Sequence, residues 1–139
     1  MAVIVDTGPL YALVDVSDSH HDEIAEFVAN TNQVLVVPVV VLPEVSYLIG
    51  KHLSTDVEVR LLRSIVAGEG GLRLEGLAKT DLARAADLVA QYADARVGFV
   101  DAAIVAIAER LNIRDVLTVD RRHFTMFRPS HCGAFNIVP

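Results

Sequence analysis

The sequence predicts an α/β protein of three layers, with helices on both faces of a mostly parallel central sheet of four to five strands. Three observations carry that expectation. Residues 3–5, 34–37 and 116–119 are short apolar runs without polar alternation, the pattern of strands buried on both faces. The stretches between them carry apolar residues at helical spacing. Strands alternating with helices in this way build parallel sheets. The 139 residues are expected to form one domain, 1–139, long enough to bury about two thirds of the surface of the unfolded chain.

The elements follow in order. Residues 3–5 form the first buried strand, and Gly8-Pro9 turns the chain into a short helix through Leu10 and Leu13. Residues 17–30 read as a helix with Ser17 and Ser19 as cap candidates and Ile24, Phe27 and Val28 on one face. Residues 34–37 are the second strand, ended by Pro38. A helix is expected from about 39 to 53, with Pro43 in or near its first turn, where proline is tolerated. Thr55-x-x-Glu58 resembles a capping box that opens a helix over 56–67 carrying Val59, Leu62 and Val66, closed by Gly68. Residues 71–75 alternate and suit an edge strand. Thr80 is the expected cap of a helix with Leu82, Ala85, Ala86 and Val89 on its inner side. The helix after Asp101 is apolar nearly all round, hence central and buried. Residues 116–119 form a further strand, and 135–138 a last short one.

Charge and cysteine content narrow the function classes. A net charge of −6 disfavours a broadly basic nucleic-acid-binding surface. Cys132 is the sole cysteine, so no intrachain disulfide framework exists and a reducing interior is expected. The first residues lack a basic region and reach Asp6 too soon for a secretory signal. No apolar run approaches the length of a membrane span. A soluble, cytoplasmic protein without membrane association is the expectation. Basic residues gather in two places, Lys51-His52 with Arg60 and Arg63, and Arg121-Arg122-His123 with Arg128. The ordinary reading of each is a solvated face.

Four acids stand where a folded chain meets difficulty. Asp6 follows the first strand, Glu44 follows the apolar run that ends at Leu42, Asp101 opens the most apolar segment, and Asp120 ends the strand-like residues 116–119. A carboxylate at the end of a buried element costs free energy unless something pairs with it. Singly, each has a plain explanation: Asp6 or Asp101 as a helix N-cap, Asp120 as a surface turn beside Arg121 and Arg122. As a set they suggest a site for a hard divalent cation. In open parallel sheets, ligands bind beyond the carboxyl ends of the strands where the strand order switches, and all four acids belong to that edge. Setting them aside leaves 14 acids against 12 basic residues, so a loaded cation would locally reverse the sign of the surface.

Carboxylates without cysteine or convergent histidine favour Mg²⁺ or Mn²⁺ over zinc. One or two such ions could activate a water and stabilise the oxyanions of an in-line phosphodiester displacement. Other chemistries lack their parts. No His-x-x-x-His or paired-cysteine spacing occurs, His20 and His21 fit an exposed helical turn, and neither a Gly-rich phosphate loop nor a Gly-x-Ser-x-Gly elbow is present. A haloacid-dehalogenase-type aspartyl phosphatase needs a second acid two places after the first, where this chain has Gly8.

Val-Asp6-Thr-Gly-Pro-Leu, Glu44 within Val-Leu-Pro-Glu-Val, Phe-Val-Asp101-Ala-Ala-Ile and Leu-Thr118-Val-Asp120-Arg-Arg-His-Phe124 resemble, in order and spacing, the motifs of PIN domains. The resemblance spans essentially the whole chain and is to the ribonuclease toxins of VapBC toxin–antitoxin modules. It implies a PIN-like fold and a Mg²⁺- or Mn²⁺-dependent endoribonuclease with Asp6, Glu44, Asp101 and Asp120 as the acidic cluster. Thr7 and Thr118 match the polar positions that support those acids. It also implies an RNA substrate, a homodimer and inhibition by a cognate antitoxin. Residues 39–67 carry Val45, Leu48, Ile49, Leu53, Leu61, Leu62 and Ile65, more apolar surface than one sheet face covers. They are expected to form a groove for an amphipathic antitoxin segment, whose basic residue would enter the acidic pocket. Two other readings stay open: a PIN-type nuclease acting in RNA processing or on DNA, and a catalytically silent module that binds a partner.

Overall fold

The computed structural model describes residues 1–139. Five parallel strands lie in the order β3-β2-β1-β4-β5, where β1 is Ala2–Val5, β2 Val34–Pro38, β3 Leu72–Glu75, β4 Asp115–Leu117 and β5 Asn136–Val138. The central strand β1 pairs Val3 with Leu35 on one side and with Asp115 on the other. Its Val3, Ile4 and Val5 are all buried, which is why the run carries no polar alternation.

The helices are α1 (Thr7–Val14), α2 (His21–Asn30), α3 (Leu42–His52), α4 (Thr55–Ala67), α5 (Lys79–Gln91), α6 (Phe99–Leu111) and α7 (Arg121–Met126). The chain steps outward from β1 to β2 and β3, then returns past them to β4 on the other side of β1. Because such crossovers are right-handed, the outward steps put α1–α4 on one face and the return puts α5 and α6 on the other. The result is three layers. Ala102 through Ala108 of α6 are all buried, so this helix is central, as its apolar circumference predicts.

Local chemistry moves several expected boundaries. Residues 17–20 form turns held by the Asp15 and Asp18 side chains, so α2 starts at His21 and neither Ser17 nor Ser19 caps it. His20 and His21 are half-buried rather than exposed; His21 Nδ1 lies 2.7 Å from the Ala12 carbonyl. The expected helix over 39–53 begins as one 3-10 turn, Val39–Val41, with Pro43 in the first turn of α3. Ser54, not a Thr55 capping box, caps α4 by accepting from the Val57 amide. The inner face of α4 is Leu61 and Ile65, while Val66 is 87% exposed. In α5 the N-cap is Ala78, and Thr80 lies within the helix. Its buried residues are Asp81, Ala85 and Leu88, whereas Leu82, Ala86 and Val89 face solvent. The apolar pattern of α5 misleads because a charged residue occupies the inner stripe.

That charge is part of a clasp between α5 and α6. Arg110 Nε and Nη2 each donate to Asp81, at 2.9 Å, and Arg110 also reaches Glu75. A second fork runs from Arg84 to Glu109, with Nε to Oε1 at 2.8 Å and Nη2 to Oε2 at 3.1 Å. Burial raises the Asp81 carboxyl, but the Arg110 guanidinium and the Ala78 amide outweigh it and hold it below the usual carboxylate range. Glu109 is likewise held low by Arg84 and the Ser130 amide against the effect of burial. Both groups therefore add stability that is complete above the ordinary carboxylate range and lost as pH falls through their lowered values. Asp81→Ala should cost about 2–3 kcal/mol near neutral pH, the loss of charged hydrogen bonds in a buried setting. Chemical denaturation of both proteins across pH should show that gap narrowing in acid; a constant gap would assign the loss to packing.

Candidate metal-binding site at the carboxyl edge of the sheet

The strand order switches between β1 and β4, so the carboxyl ends of these two strands splay the following segments apart and open a crevice. Pairing continues one residue past β1, where the Asp6 amide donates to the Leu117 carbonyl at 3.0 Å. Asp6 then turns out of the sheet as the N-cap of α1, its Oδ1 accepting from the Thr7 amide at 2.8 Å. Its other oxygen, Oδ2, accepts from Thr118 Oγ1 at 2.8 Å. Gly8 allows this approach: a Cβ there would meet Val119 Cγ2 at 2.7 Å, closer than carbon atoms pack.

The other acids arrive on the starts of three more helices. Glu44, in the first turn of α3, is exposed, and its Oε1 accepts from Thr7 Oγ1 at 2.7 Å. Asp101 lies in the first turn of α6 and Asp120 caps α7. Thr118 Oγ1 also accepts from the Asp120 amide at 2.9 Å, so one hydroxyl links two of the acids. The charges of Asp101 and Asp120 act on Asp6 and that of Glu44 acts on Asp101, so the four acids lie near one another. A cap role for Asp6 and Asp120 does not exclude a shared site. Glu44 differs from expectation in being exposed at the rim rather than buried.

Their mutual electrostatics are unfavourable. Burial pushes Asp6, 8% exposed, up to about 6; its two hydrogen bonds oppose that rise, and the charges of Asp101 and Asp120 add to it. Burial also raises Asp101, with His123 opposing and Asp120 and Glu44 adding. An anionic pocket that takes up protons in place of a counter-charge suits a cation.

His123 is the residue that sequence reasoning missed. Its Nδ1 lies 2.9 Å from Asp101 Oδ2 and 3.1 Å from Asp120 Oδ2. One ligand atom each from Asp101, Asp120 and His123 lies within 4.8 Å of the others. In the sequence it sits within a basic run, and the only local signal was its place three residues after an N-capping aspartate. Of that run, Arg121 donates to the Pro139 carbonyl and Arg128 to the carbonyls of Thr125, Met126 and Phe127, and Arg121, Arg122 and Arg128 are all exposed. Oxygen donors dominate the site, one imidazole joins them and no thiolate is among them, a set that fits Mg²⁺ or Mn²⁺.

Comparison with known proteins agrees with this architecture. The PIN domain family model matches residues 3–127. Ribonuclease VapC26 of Mycobacterium tuberculosis is 36% identical over 137 residues, covering 99% of this chain and 100% of that protein. Among solved structures, Mycobacterium tuberculosis VapC20, described as a sarcin-ricin loop cleaving toxin, superposes with a TM-score of 0.75 at 20% identity, over 83% of this chain and 87% of that one. VapBC2 from Rickettsia felis, bound to a promoter DNA fragment, gives 0.70 at 15% identity with both chains fully covered. FitAcB from Neisseria gonorrhoeae gives 0.62 at 14% identity, over 99% of this chain and 96% of that one. At such identities these structures speak for the fold alone, whereas the family match and the VapC26 relative go further. By both, this chain belongs to the PIN-domain family, among its VapC ribonucleases.

Proposed function

We propose that this protein is the toxin of a type II toxin–antitoxin pair, a Mg²⁺- or Mn²⁺-dependent endoribonuclease that a cognate antitoxin neutralises in the cytoplasm. The observation that carries the reading is the meeting of Asp6, Glu44, Asp101 and Asp120 at the switch point, with Asp6 raised to about 6. Asp6, Asp101 and Asp120 would hold the cation, with Glu44 at the rim. The cation supplies an activated water and charge stabilisation at the phosphodiester oxygens. Thr118 fixes the Asp6 carboxylate and Thr7 fixes Glu44, each through one hydroxyl. Arg122, exposed two residues beyond Asp120, suits a contact to the RNA backbone. No helix is long and apolar enough to cross a membrane. The family resemblance implies a homodimer, which sedimentation velocity would register as the mass of two chains; a monomer at all concentrations would remove that part of the reading.

The decisive test is cleavage of RNA by the purified chain. It should require Mg²⁺ or Mn²⁺, stop with chelator, and fail in Asp6→Asn and Asp101→Asn variants that keep the wild-type circular dichroism spectrum. Cutting in excess chelator, or by both variants, sinks the mechanism.

Metal-free stability gives an independent check on Asp6. Its folded pKa of about 6 lies above the ordinary 3.8, so its contribution is complete below the ordinary value and lost as pH rises through about 6. Metal-free Asp6→Asn should therefore exceed wild type by about 1–3 kcal/mol at neutral pH, with the advantage fading in acid. Equal stability at neutral pH would show that the buried acid carries no penalty.

The antitoxin surface expected on α3 and α4 is smaller than their sequence suggests, because Val45, Ile49, Leu61 and Ile65 are buried in the core. What remains beside the acids is a hollow of about 430 Å³ lined by Thr7, Pro43, Glu44, Tyr47 and Leu48. An amphipathic antitoxin segment lying there would bring a basic side chain to Glu44. Leu48→Glu should weaken antitoxin affinity at least tenfold by calorimetry, about 1.4 kcal/mol, with nuclease activity retained. Unchanged affinity in a folded variant would place the antitoxin elsewhere.

A further inference from the structure

The imidazole of His123 stands between Asp101 and Asp120, and its role depends on those two acids being cation ligands, as proposed above for the nuclease. We propose that His123 is a further ligand of the same cation, through Nδ1, and that it biases the site toward Mn²⁺ over Mg²⁺.

The geometry is the first support. Neighbouring ligand atoms of a six-coordinate ion with bonds of about 2.1 Å lie about 3 Å apart. His123 Nδ1 stands 2.9 Å from Asp101 Oδ2 and 3.1 Å from Asp120 Oδ2. The spacing is that of one ligand next to two others.

The second support is how firmly the imidazole is placed. Asp120 caps α7, and its Oδ1 accepts from the His123 amide at 3.4 Å, so carboxylate and imidazole belong to one helical turn. That turn is anchored by Phe124, fully buried and packed against Phe127 and Phe135. The opposing Asp101 is carried on the buried helix α6. The His123 side chain is 32% exposed, open enough for an ion to reach it from solvent.

The donor chemistry sets the direction of the bias. Mg²⁺ takes oxygen ligands and keeps water in preference to nitrogen, whereas later divalent ions accept imidazole more readily. A site made only of carboxylates would separate the two ions less.

The opposite role is also physically definite. An imidazole that keeps its hydrogen bond to Asp101 and its close contact with Asp120 would occupy the place of the cation and oppose its binding. Removing His123 would then tighten metal binding instead of weakening it, so the sign of the change decides between the two roles.

The experiment uses the full chain, with Mn²⁺ and Mg²⁺ affinities measured by calorimetry for wild type, His123→Ala and His123→Gln. Pulsed electron paramagnetic resonance on the Mn²⁺-loaded proteins reads directly bound nitrogen. Both substitutions keep the backbone amide that Asp120 caps. Wild type should show nitrogen coupling to Mn²⁺ and a preference for Mn²⁺. Both variants should lose the coupling and bind Mn²⁺ about tenfold or more weakly, with a smaller loss for Mg²⁺. Wild type that binds Mn²⁺ without nitrogen coupling overturns the ligand role while leaving the carboxylate site standing. Tighter Mn²⁺ binding by His123→Ala overturns it in favour of the competing imidazole. Wild type that binds neither ion removes the carboxylate assignment and this inference with it.

Discussion

Parallel pairing of β1 with β4 is the constraint on which the rest of this molecule depends. Residues 112 positions apart are brought into hydrogen-bond contact at Asp6 and Thr118, and the return crossover that makes this possible also opens the crevice between the strand ends. The Thr118 hydroxyl donates to Asp6 and accepts from the Asp120 amide. It is 2% exposed, so a strand register shifted by one residue would turn it to the other face and leave Asp6 buried without that donor. The site and the sheet register are therefore one structural decision.

The clasp between α5 and α6 serves the same end from a distance. Asp101 is useful only if α6 enters the core at the correct height, and α6 alone, apolar nearly all round, has little in its own surface to fix its rotation. Hydrophobic burial is non-directional. The forks from Arg110 to Asp81 and from Arg84 to Glu109 are directional, and the two, about one turn apart along α5, fix both rotation and height.

The buried runs of β1 and β2, the all-round apolar α6 and the four acids at element ends were legible because each is a local pattern with a local cause. Other features were not. Asp81 makes α5 look as though its inner face should be Leu82 and Val89, since nothing near residue 81 announces Arg110. His123 was absorbed into a basic run, because its neighbours in sequence are arginines while its neighbours in space are Asp101 and Asp120. Ser54 and Thr55 are adjacent cap candidates, and the one with extended backbone, Ser54, became the cap. For Asp81 and His123 the deciding partner is set by tertiary packing, and for α4 by the local backbone at Ser54.

Caps and site need not be rival explanations of the same acids. Asp6 and Asp120 are N-caps, and Glu44 and Asp101 occupy first helical turns, so every carboxylate sits at the positive end of a helix dipole. Each such placement is worth about 0.3–1 kcal/mol to a negative charge. That offsets part of the burial and repulsion that raise Asp6 and Asp101. A cluster of acids can therefore be assembled on this fold before any cation arrives, because the sheet topology that collects four helix starts at one edge also supplies the field that tolerates them. The residue left with the least compensation is Asp6, whose carboxyl is pushed up to about 6 at the end of the central strand. The place where the fold tolerates negative charge least is the place where a divalent ion would relieve it most.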